Sequence, residues 1–478
     1  MGVESGMAMG TKRAREKQEE LFYASERVAA PGNPFYEQLN GVLNEAGFDA
    51  FCERGCQKFY HELGRPSLAP GVYFRMLFIG FFEGIAGERG IAWRVADSLS
   101  LRRFLSYGVS EATPDHVTIS RTRRLFDEAT HQAVFTFVLT EVARRGMLRG
   151  KTIGIDATTL EANAAMRSIV RRETGESYLE YVRKLAQQAG IDPADEDAVR
   201  RMDRKRKKKT SNEDWVNPHD PDAEVTKMKD GTTHFAYKAE QAVDLDTGAI
   251  VAITTQGGAV GDTTSVRQTL PEAGLAIAEQ MNTPAAHGEY QVQQLQEVVA
   301  DKGYHSGAAL LEMSTMVRTY VSVPQQPRRN WDGKADQQAA VYANKRRVQG
   351  ERGKSLLRRR GELLERPFAH QYETGGLRRV QVRGRDNVAK PVLLQAAAFN
   401  LALILRSITK AGTPRGLADL KQKLWRAFWR VCAALGDRGA LTERSAENST
   451  ALPFLRPHRH RFHPKSLPCR SWGSDPGC

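Results

Sequence analysis

The chain has 478 residues, with 70 lysines and arginines against 56 aspartates and glutamates, so its formal net charge is +14. A chain of this length can bury at least one large core and allows two or three domains. The basic surplus favours a polyanionic partner, because each phosphate that a protein neutralises releases condensed counterions. A basic protein without a nucleic-acid partner is the alternative that charge alone leaves open.

The cysteines argue against a disulfide-stabilised protein, and the apolar segments argue against a membrane protein. Five scattered cysteines are too few for a disulfide framework, and Cys52 and Cys56 lack the further ligands of a zinc site. No segment reaches the ~18 continuous apolar residues of a membrane helix, and the amino terminus lacks an apolar signal segment. We therefore expect buried helix cysteines in a cytoplasmic protein that has no membrane partner.

The first part of the chain is predicted to be helical. Residues 1–34 form a flexible basic amino terminus, and residues 35–148 show apolar residues at three- and four-residue spacing. Basic faces and glycine punctuation are typical of helix-turn-helix DNA-binding domains. In TPDHVTISRTRRLFDEA either Thr113 or Asp115 caps a helix whose outer side contacts DNA or is simply solvated. The candidate DNA contacts on this helix are Arg121, Arg123 and Arg124.

The period of the apolar residues changes at Lys151. The segment KTIGID predicts a strand, and LEANAAMRSIVRRETGESYLEYVRKLAQQAG predicts a helix. Between about residues 162 and 230 we expect a charged insertion. Its block RRMDRKRKKKTSNEDW, residues 200–215, is predicted to be an exposed, mobile linker or a DNA contact.

The following segments complete an α/β order. HFAYKAEQAVDLDTGAIVAITTQGG predicts a β-hairpin that turns at Asp246 to Gly248. The hairpin is followed by a helix, the strand QEVVADKGY, the helix SGAALLEM, the strand TYVSVPQ and a last helix. This order matches a ribonuclease H-like mixed sheet in residues 149–410, preceded by the all-helical domain. Residues 411–478 are expected to form a helix and a poorly ordered basic tail.

Three carboxylates mark the candidate site. Asp156 and Asp301 each follow a short β-branched run, and Glu365 lies in the basic helical segment RRRGELLERPFAH. An acid that ends an apolar strand lies at the carboxyl edge of a sheet, where open α/β folds build their sites. Three such acids can hold two divalent metals about 4 Å apart, which suits an in-line phosphoryl displacement. Glu362 is the alternative third acid, and Pro367 predicts that the helix begins or bends near Glu365.

Several segments in order resemble the DDE transposases of bacterial insertion sequences, most closely the insertion-sequence-four- and five-like group. The resemblance runs from about residue 68 to residue 408 and includes IGIDATTLEANAA, GDTTS, VVADKGYHS, AAVYANKRRVQGERGK, ELLERPFAHQYETGGLRRVQVRGR and AAAFNLALILR. Such enzymes carry the first acid on the first strand, the second after the fourth strand and the third on a helix. The resemblance implies that Asp156, Asp301 and Glu365 are catalytic metal ligands, with Mg²⁺ or Mn²⁺ as the metal.

The resemblance also concerns residues around the third acid. The family has a tyrosine and an arginine before its glutamate and a lysine or similar residue after it. Here residues 358–360 are arginines, and His370 and Tyr372 stand where the lysine is expected, so the spacing departs from the family pattern. We predict that Arg358 and Arg360 contact DNA.

Other polar residues near these motifs are weaker candidates. Lys302 and His305, beside the second acid, either hold a flanking phosphate or steer a metal-bound water, or each is a surface or capping residue. Lys238 on a predicted strand is a further candidate DNA contact. Asp262 is either an auxiliary site residue or a helix cap, and Trp331 either stacks on an unpaired base or anchors its loop.

The resemblance implies metal-dependent cleavage and strand transfer. The partner would be double-stranded DNA, namely the terminal inverted repeats of the element and its target, bound by a homodimer. Two alternatives remain open: a nuclease of the same fold that cuts without joining, and a catalytically inactive DNA-binding regulator of the element. The presence of all three acids favours the active enzyme over the regulator. The sequence shows no glycine-rich nucleotide-binding loop, so it does not imply ATP as a cofactor.

Overall fold

The computed structural model describes residues 7–9, 32–61, 65–206, 211–228, 231–281, 294–325 and 330–446. The predictions of a flexible amino terminus and a poorly ordered tail fall mostly outside these residues. The chain divides into the units Met1–Ala418 and Asp419–Cys478, and the elements that carry the candidate acids all belong to the first.

The amino-terminal region is helical, as the apolar spacing predicts. Its helices are α1 (Pro34–Glu45), α2 (Phe48–Cys56), α3 (Pro70–Glu83), α4 (Glu88–Ala96), α5 (Leu99–Phe104), α6 (His116–Leu125) and α7 (Glu128–Arg144). A two-residue parallel pair joins Met7–Ala8 to Arg65–Pro66. Asp115 is the cap of α6, because its carboxylate accepts the backbone N–H of Thr118 at 2.7 Å. The two cysteines of α2 are buried.

A six-stranded mixed sheet follows the helical region. Its strands are β1 (Thr152–Glu161), β2 (Glu224–Lys227), β3 (Thr233–Asp244), β4 (Ile250–Gly257), β5 (Glu297–Ala300) and β6 (Arg318–Val321). Across the sheet the order is β6, β5, β1 and β3, and both β4 and β2 pair with β3. Strand β5 is parallel to β1 and β6, whereas β3 is antiparallel to β1, β2 and β4. The predicted hairpin is β3 and β4, and the mixed sheet is confirmed; β2 was not predicted.

Within the described residues, eight further helices follow the amino-terminal region. They are α8 (Tyr178–Gln188), α9 (Glu196–Lys205), α10 (Asp262–Met281), α11 (Gly307–Met316), α12 (Ala335–Gln349), α13 (Glu351–Ala369), α14 (Arg385–Thr409) and α15 (Pro414–Ala446). A π-helical turn, His370–Thr374, directly follows α13. The helix therefore does not begin near Glu365, and its geometry changes only after Pro367.

The segment between β1 and β2 differs from its prediction. The expected helix over residues 160–190 begins only at Tyr178, because Ser177 and Glu180 form a capping box there. Before it, Val170–Arg171 pairs with Trp215–Val216. The charge block at residues 200–215 is not simply a mobile linker, since its first part belongs to α9 and Trp215 is 3% exposed. Within this block, residues 207–210 lie outside the described part.

Helix α14 is a core helix. The stretch Arg385–Arg430 contains a window that is long and apolar enough to cross a membrane, but 89% of that window is buried inside the protein. The amide of Asn400 in α14 accepts the backbone N–H of Ile250 at 2.9 Å and donates to its carbonyl oxygen at 2.8 Å. These bonds fix α14 to the start of β4, and burial accounts for its apolar composition.

Candidate active site

Asp156 lies within β1 on the face of the sheet that α13 covers. Ile153 and Ile155 are fully buried on the opposite face, because side chains alternate along a strand. Gly154 shares the face of Asp156, and a Cβ atom on it would lie 2.4 Å from Cδ1 of Leu364 in α13. The glycine therefore lets the helix approach the strand two residues before the acid. The strand itself continues beyond Asp156 to Glu161, which the sequence did not predict.

Asp301 follows β5 at the same level of the sheet. The parallel ladder pairs Gly154 of β1 with Val299 of β5, and Asp156 and Asp301 each lie two residues further on. Neighbouring strands are about 4.8 Å apart, and register partners of parallel strands face the same side. The register thus places the first two acids at matching positions of neighbouring strands. The Asp301 carboxylate also accepts the backbone N–H of Gly303 at 2.7 Å and caps a 3₁₀ turn.

Helix α13 is fixed along β1 at both ends. In its first turn, Arg352 donates from Nε to Oε1 of Glu297 at 3.0 Å, and the hydroxyl of Thr152 donates to the same carboxylate at 2.7 Å. Beyond its last turn, the hydroxyl of Tyr372 contacts that of Thr158. The helix therefore follows β1 from its first residue past Asp156.

The rotation of α13 separates the two candidates for the third acid. Leu364 is fully buried against Gly154 and so points at the sheet. With 3.6 residues per turn, Glu365 lies about 100° from Leu364 around the helix. Glu362 lies about 200° from Leu364 and therefore points away from the sheet. Both glutamates are exposed, and Glu362 pairs with Arg366 at 3.5 Å. Of the two, Glu365 is nearer to the side of α13 that faces β1.

The guanidinium of Arg360 contacts the carboxylate of Asp156. Nη2 of Arg360 forms an ion pair with Oδ2 of Asp156 at 2.9 Å, and the two side chains are 14% and 27% exposed. In the described part of the chain, no three His, Cys, Asp or Glu side chains lie close enough to hold one metal ion. The donor set nevertheless fits a hard divalent cation, since Asp156 and Asp301 offer carboxylate oxygens at matching positions of neighbouring strands and Asp156 already pairs with a guanidinium. The predicted DNA contact Arg360 thus binds Asp156 in this structure.

A polar layer supports the turn after Asp301. The Asp262 carboxylate, at the start of α10, binds the ammonium of Lys238, which also donates to the carbonyl oxygen of Val260 at 2.9 Å. A Cβ atom on Gly303 would lie 2.2 Å from Oδ2 of Asp262 and 3.0 Å from Oδ1 of Asp301. The two carboxylates therefore approach each other over a residue that has no side chain.

A buried glutamate holds the end of the same turn. The hydroxyl of Tyr304 donates to Oε1 of Glu240 at 2.8 Å, and the hydroxyl of Ser265 in α10 donates to the same oxygen. Burial raises the pKa of Glu240. The pKa of Tyr304 lies well above its usual range, through burial first and then the charges of Glu240, Asp262 and Asp156. Tyr304 therefore stays a neutral donor, a role that the sequence analysis missed.

The predicted DNA contacts fall into two groups. Lys238 is 6% exposed and bound by Asp262, which does not fit a direct DNA contact. Arg123 is also largely enclosed, with 15% exposure and an ion pair of 2.7 Å to Glu88. Four predicted contacts are exposed and remain predictions: Arg121, Arg124, Lys302 and Arg358.

Two of the weaker candidates are partly or fully enclosed. Trp331 packs against the hydrophobic core, with its ring centroid 6.4 Å from that of Tyr342, which supports the loop-anchor alternative. His305 is 8% exposed, so it is not a surface residue.

Two family models match the chain. The model described as Transposase domain (DUF772) matches residues 24–125, and the model described as Transposase DDE domain matches residues 198–401. The first range covers most of the helical region, and the second contains Asp301 and Glu365. Asp156 lies between the two ranges, so its assignment rests on sequence and geometry. No curated protein and no solved structure matches the chain.

Proposed function

The chain belongs to the DDE transposases of insertion sequences, and on this premise we propose that Asp156, Asp301 and Glu365 are the acids with which it cuts and joins DNA. The observation that carries the proposal is the β1–β5 register, in which Asp156 and Asp301 each follow by two residues the paired Gly154 and Val299. The rotation of α13, in which Glu365 is nearer than Glu362 to the sheet-facing Leu364, supports the third assignment.

We assign the sheet to the ribonuclease H-like type. The support is the strand order β4, β3, β1, β5, β6, in which β3 is antiparallel to β1 and the last three strands are mutually parallel. Residues 149–410 would then be the catalytic domain, with residues 162–230 as its insertion. Residues 35–148 would bind DNA. The sequence motifs support placing the chain in the insertion-sequence-four- and five-like group.

The three carboxylates would hold Mg²⁺ or Mn²⁺. When bound, such a metal stabilises negative charge on the attacking and leaving oxygens of a phosphodiester. The chain supplies oxygen ligands of the kind that these ions prefer. Arg360 has to leave Asp156 for this, and the exposed side chain of Glu365 has to turn towards the sheet edge. Arg360 would then be free to bind a backbone phosphate of the DNA.

The DNA partner follows from charge and exposure. The chain carries a net charge of +14, and its exposed candidates lie on α6, after β5 and on α13. Arg121, Arg124, Lys302 and Arg358 are the residues that we assign to phosphate contacts. Double-stranded element ends and target DNA are the proposed partners. Because two ends have to be held together, we propose a homodimer in the DNA complex, acting in the cytoplasm.

A strand-transfer assay tests the proposal. The full chain is incubated with Mg²⁺, a plasmid target and a short duplex that copies the DNA flanking its gene. We expect cleavage that frees a 3′ hydroxyl at the element end, and a covalent joint between that end and the plasmid. Cleavage without a joined product would identify a nuclease, and binding without cleavage would identify a regulator. Either result would overturn the proposed function.

Removing the guanidinium from the first acid should strengthen metal binding. Because Arg360 and a divalent cation compete for Asp156, we expect Arg360→Gln to bind Mn²⁺ about tenfold more tightly without DNA, a change worth about 1.4 kcal/mol. Isothermal titration calorimetry measures this affinity. Arg359→Gln is the matched control, since Arg359 is on the same helix but pairs with Asp246 at 3.0 Å. Equal affinity of Arg360→Gln and the unmodified chain would contradict the competition.

A further inference from the structure

The turn that carries Asp301 is supported from the opposite side of the sheet. Asp156 pairs with Gln241 across β1 and β3, so Lys238 and Glu240 lie on the other face of β3, where α10 packs. Asp262 is the first residue of α10. It is therefore placed to connect the buried layer under the sheet with the turn at the sheet edge.

We propose that Asp262 is a positioning residue for Asp301: held by Lys238, its carboxylate packs on Gly303 and fixes the turn from which Asp301 projects. The inference rests on the proposed role of Asp301 as a metal ligand. It assigns Asp262 no contact with substrate or metal.

Lys238 fixes one side of the Asp262 carboxylate. The lysine side chain is 7% exposed, and its ammonium binds Oδ1 of Asp262 and the carbonyl oxygen of Val260. A lysine this enclosed needs hydrogen-bond acceptors at its ammonium, because an unpaired buried ammonium is costly. The carboxylate of Asp262 therefore has a defined position, although it is itself 34% exposed.

The other side of the carboxylate fixes the turn. Oδ2 of Asp262 lies where a side chain at position 303 would begin, 2.2 Å from the ideal Cβ position. The backbone N–H of Gly303 in turn donates to Oδ1 of Asp301 at 2.7 Å. A shift of Asp262 would thus be passed through Gly303 to Asp301. Helix capping alone would explain neither the close contact with Gly303 nor the buried lysine.

Manganese affinity of the full chain tests this inference. Residues that orient a metal ligand typically change metal affinity 10- to 100-fold when they are removed. We expect Asp262→Ala to weaken Mn²⁺ binding by at least about tenfold in calorimetry. Asp262→Asn should stay within about threefold of the unmodified chain, because an amide oxygen still accepts from Lys238 and fills the same space. Thr264→Ala, at an exposed position in the same helical turn, is the matched control and should change nothing.

Folding is checked by thermal unfolding of each variant. Because Asp262→Ala leaves Lys238 without its carboxylate, the double variant Asp262→Ala, Lys238→Met removes both charges and should show the same weakened Mn²⁺ binding. Unchanged affinity in either folded variant would overturn the inference. So would an Asp262→Asn variant as weak as Asp262→Ala, because charge and not contact would then matter. If Asp301→Asn bound Mn²⁺ as well as the unmodified chain, the proposed function would fail and this inference with it.

Discussion

Replacing either Asp156 or Asp301 by asparagine should abolish metal-dependent cleavage of the element end while leaving end binding nearly intact. Asparagine keeps the size of the side chain, but it removes the negative charge with which a carboxylate binds a divalent cation. Since a metal contributes several kcal/mol of charge stabilisation in the transition state, we expect the cleavage rate to fall on the order of 10³-fold or more. Cleavage of a labelled duplex and a gel-shift titration measure the two properties.

The matched control for this pair is Asp246→Asn. Asp246 is a half-exposed aspartate in the β3–β4 turn that pairs with Arg359 of α13, so it shares the charge and the neighbouring helix but not the sheet edge. We expect it to cleave at the unmodified rate. Loss of DNA binding in a folded Asp156→Asn or Asp301→Asn variant would count against a catalytic role, as would full cleavage activity in either.

Replacing each of the two α13 glutamates by glutamine should give two variants whose cleavage rates differ by a similarly large factor. Glu365 flanks the buried Leu364, whereas Glu362 points away from β1 and pairs with Arg366. We therefore expect Glu365→Gln to lose cleavage on the order of 10³-fold and Glu362→Gln to stay close to the unmodified rate. The same duplex assay at saturating Mg²⁺ gives both rates.

Each glutamate variant serves as the control for the other, because both remove one exposed charge from the same helix. If Glu362→Gln lost cleavage and Glu365→Gln did not, Glu362 would be the third acid. Such a result would also require α13 to rotate in the DNA complex, since Leu364 holds Glu362 away from the sheet in this structure.

The placement of the first two acids could be predicted because it depends on local patterns. The β-branched runs before Asp156 and Asp301 predict two strands, and the parallel ladder between these strands sets the two acids at one level, although β1 continues past Asp156 to Glu161. The hairpin was predictable for the same reason, since Asp246 to Gly248 interrupt two alternating runs and Gly248 adopts a left-handed φ of +82°. Strand β2 was missed because EVTK is short and nearly without apolar residues.

The contacts around the acids could not be predicted because they join distant segments. Alternation along β3 shows that Lys238 and Glu240 share a face, but it does not show that α10 covers that face. A buried lysine therefore looked like a DNA contact. Likewise, Arg360 meets Asp156 and Asp262 meets Gly303 only because α13 and α10 pack where they do. Pro367 suggested a boundary in α13, yet the helix passes through it.

The most direct test is an anomalous-scattering map of the full chain crystallised with its element-end DNA and Mn²⁺. We predict manganese at the sheet edge with Asp156, Asp301 and Glu365 as ligands, and Arg360 withdrawn from Asp156. Manganese bound elsewhere, or a Glu365 carboxylate more than about 10 Å from the other two in that complex, would contradict it.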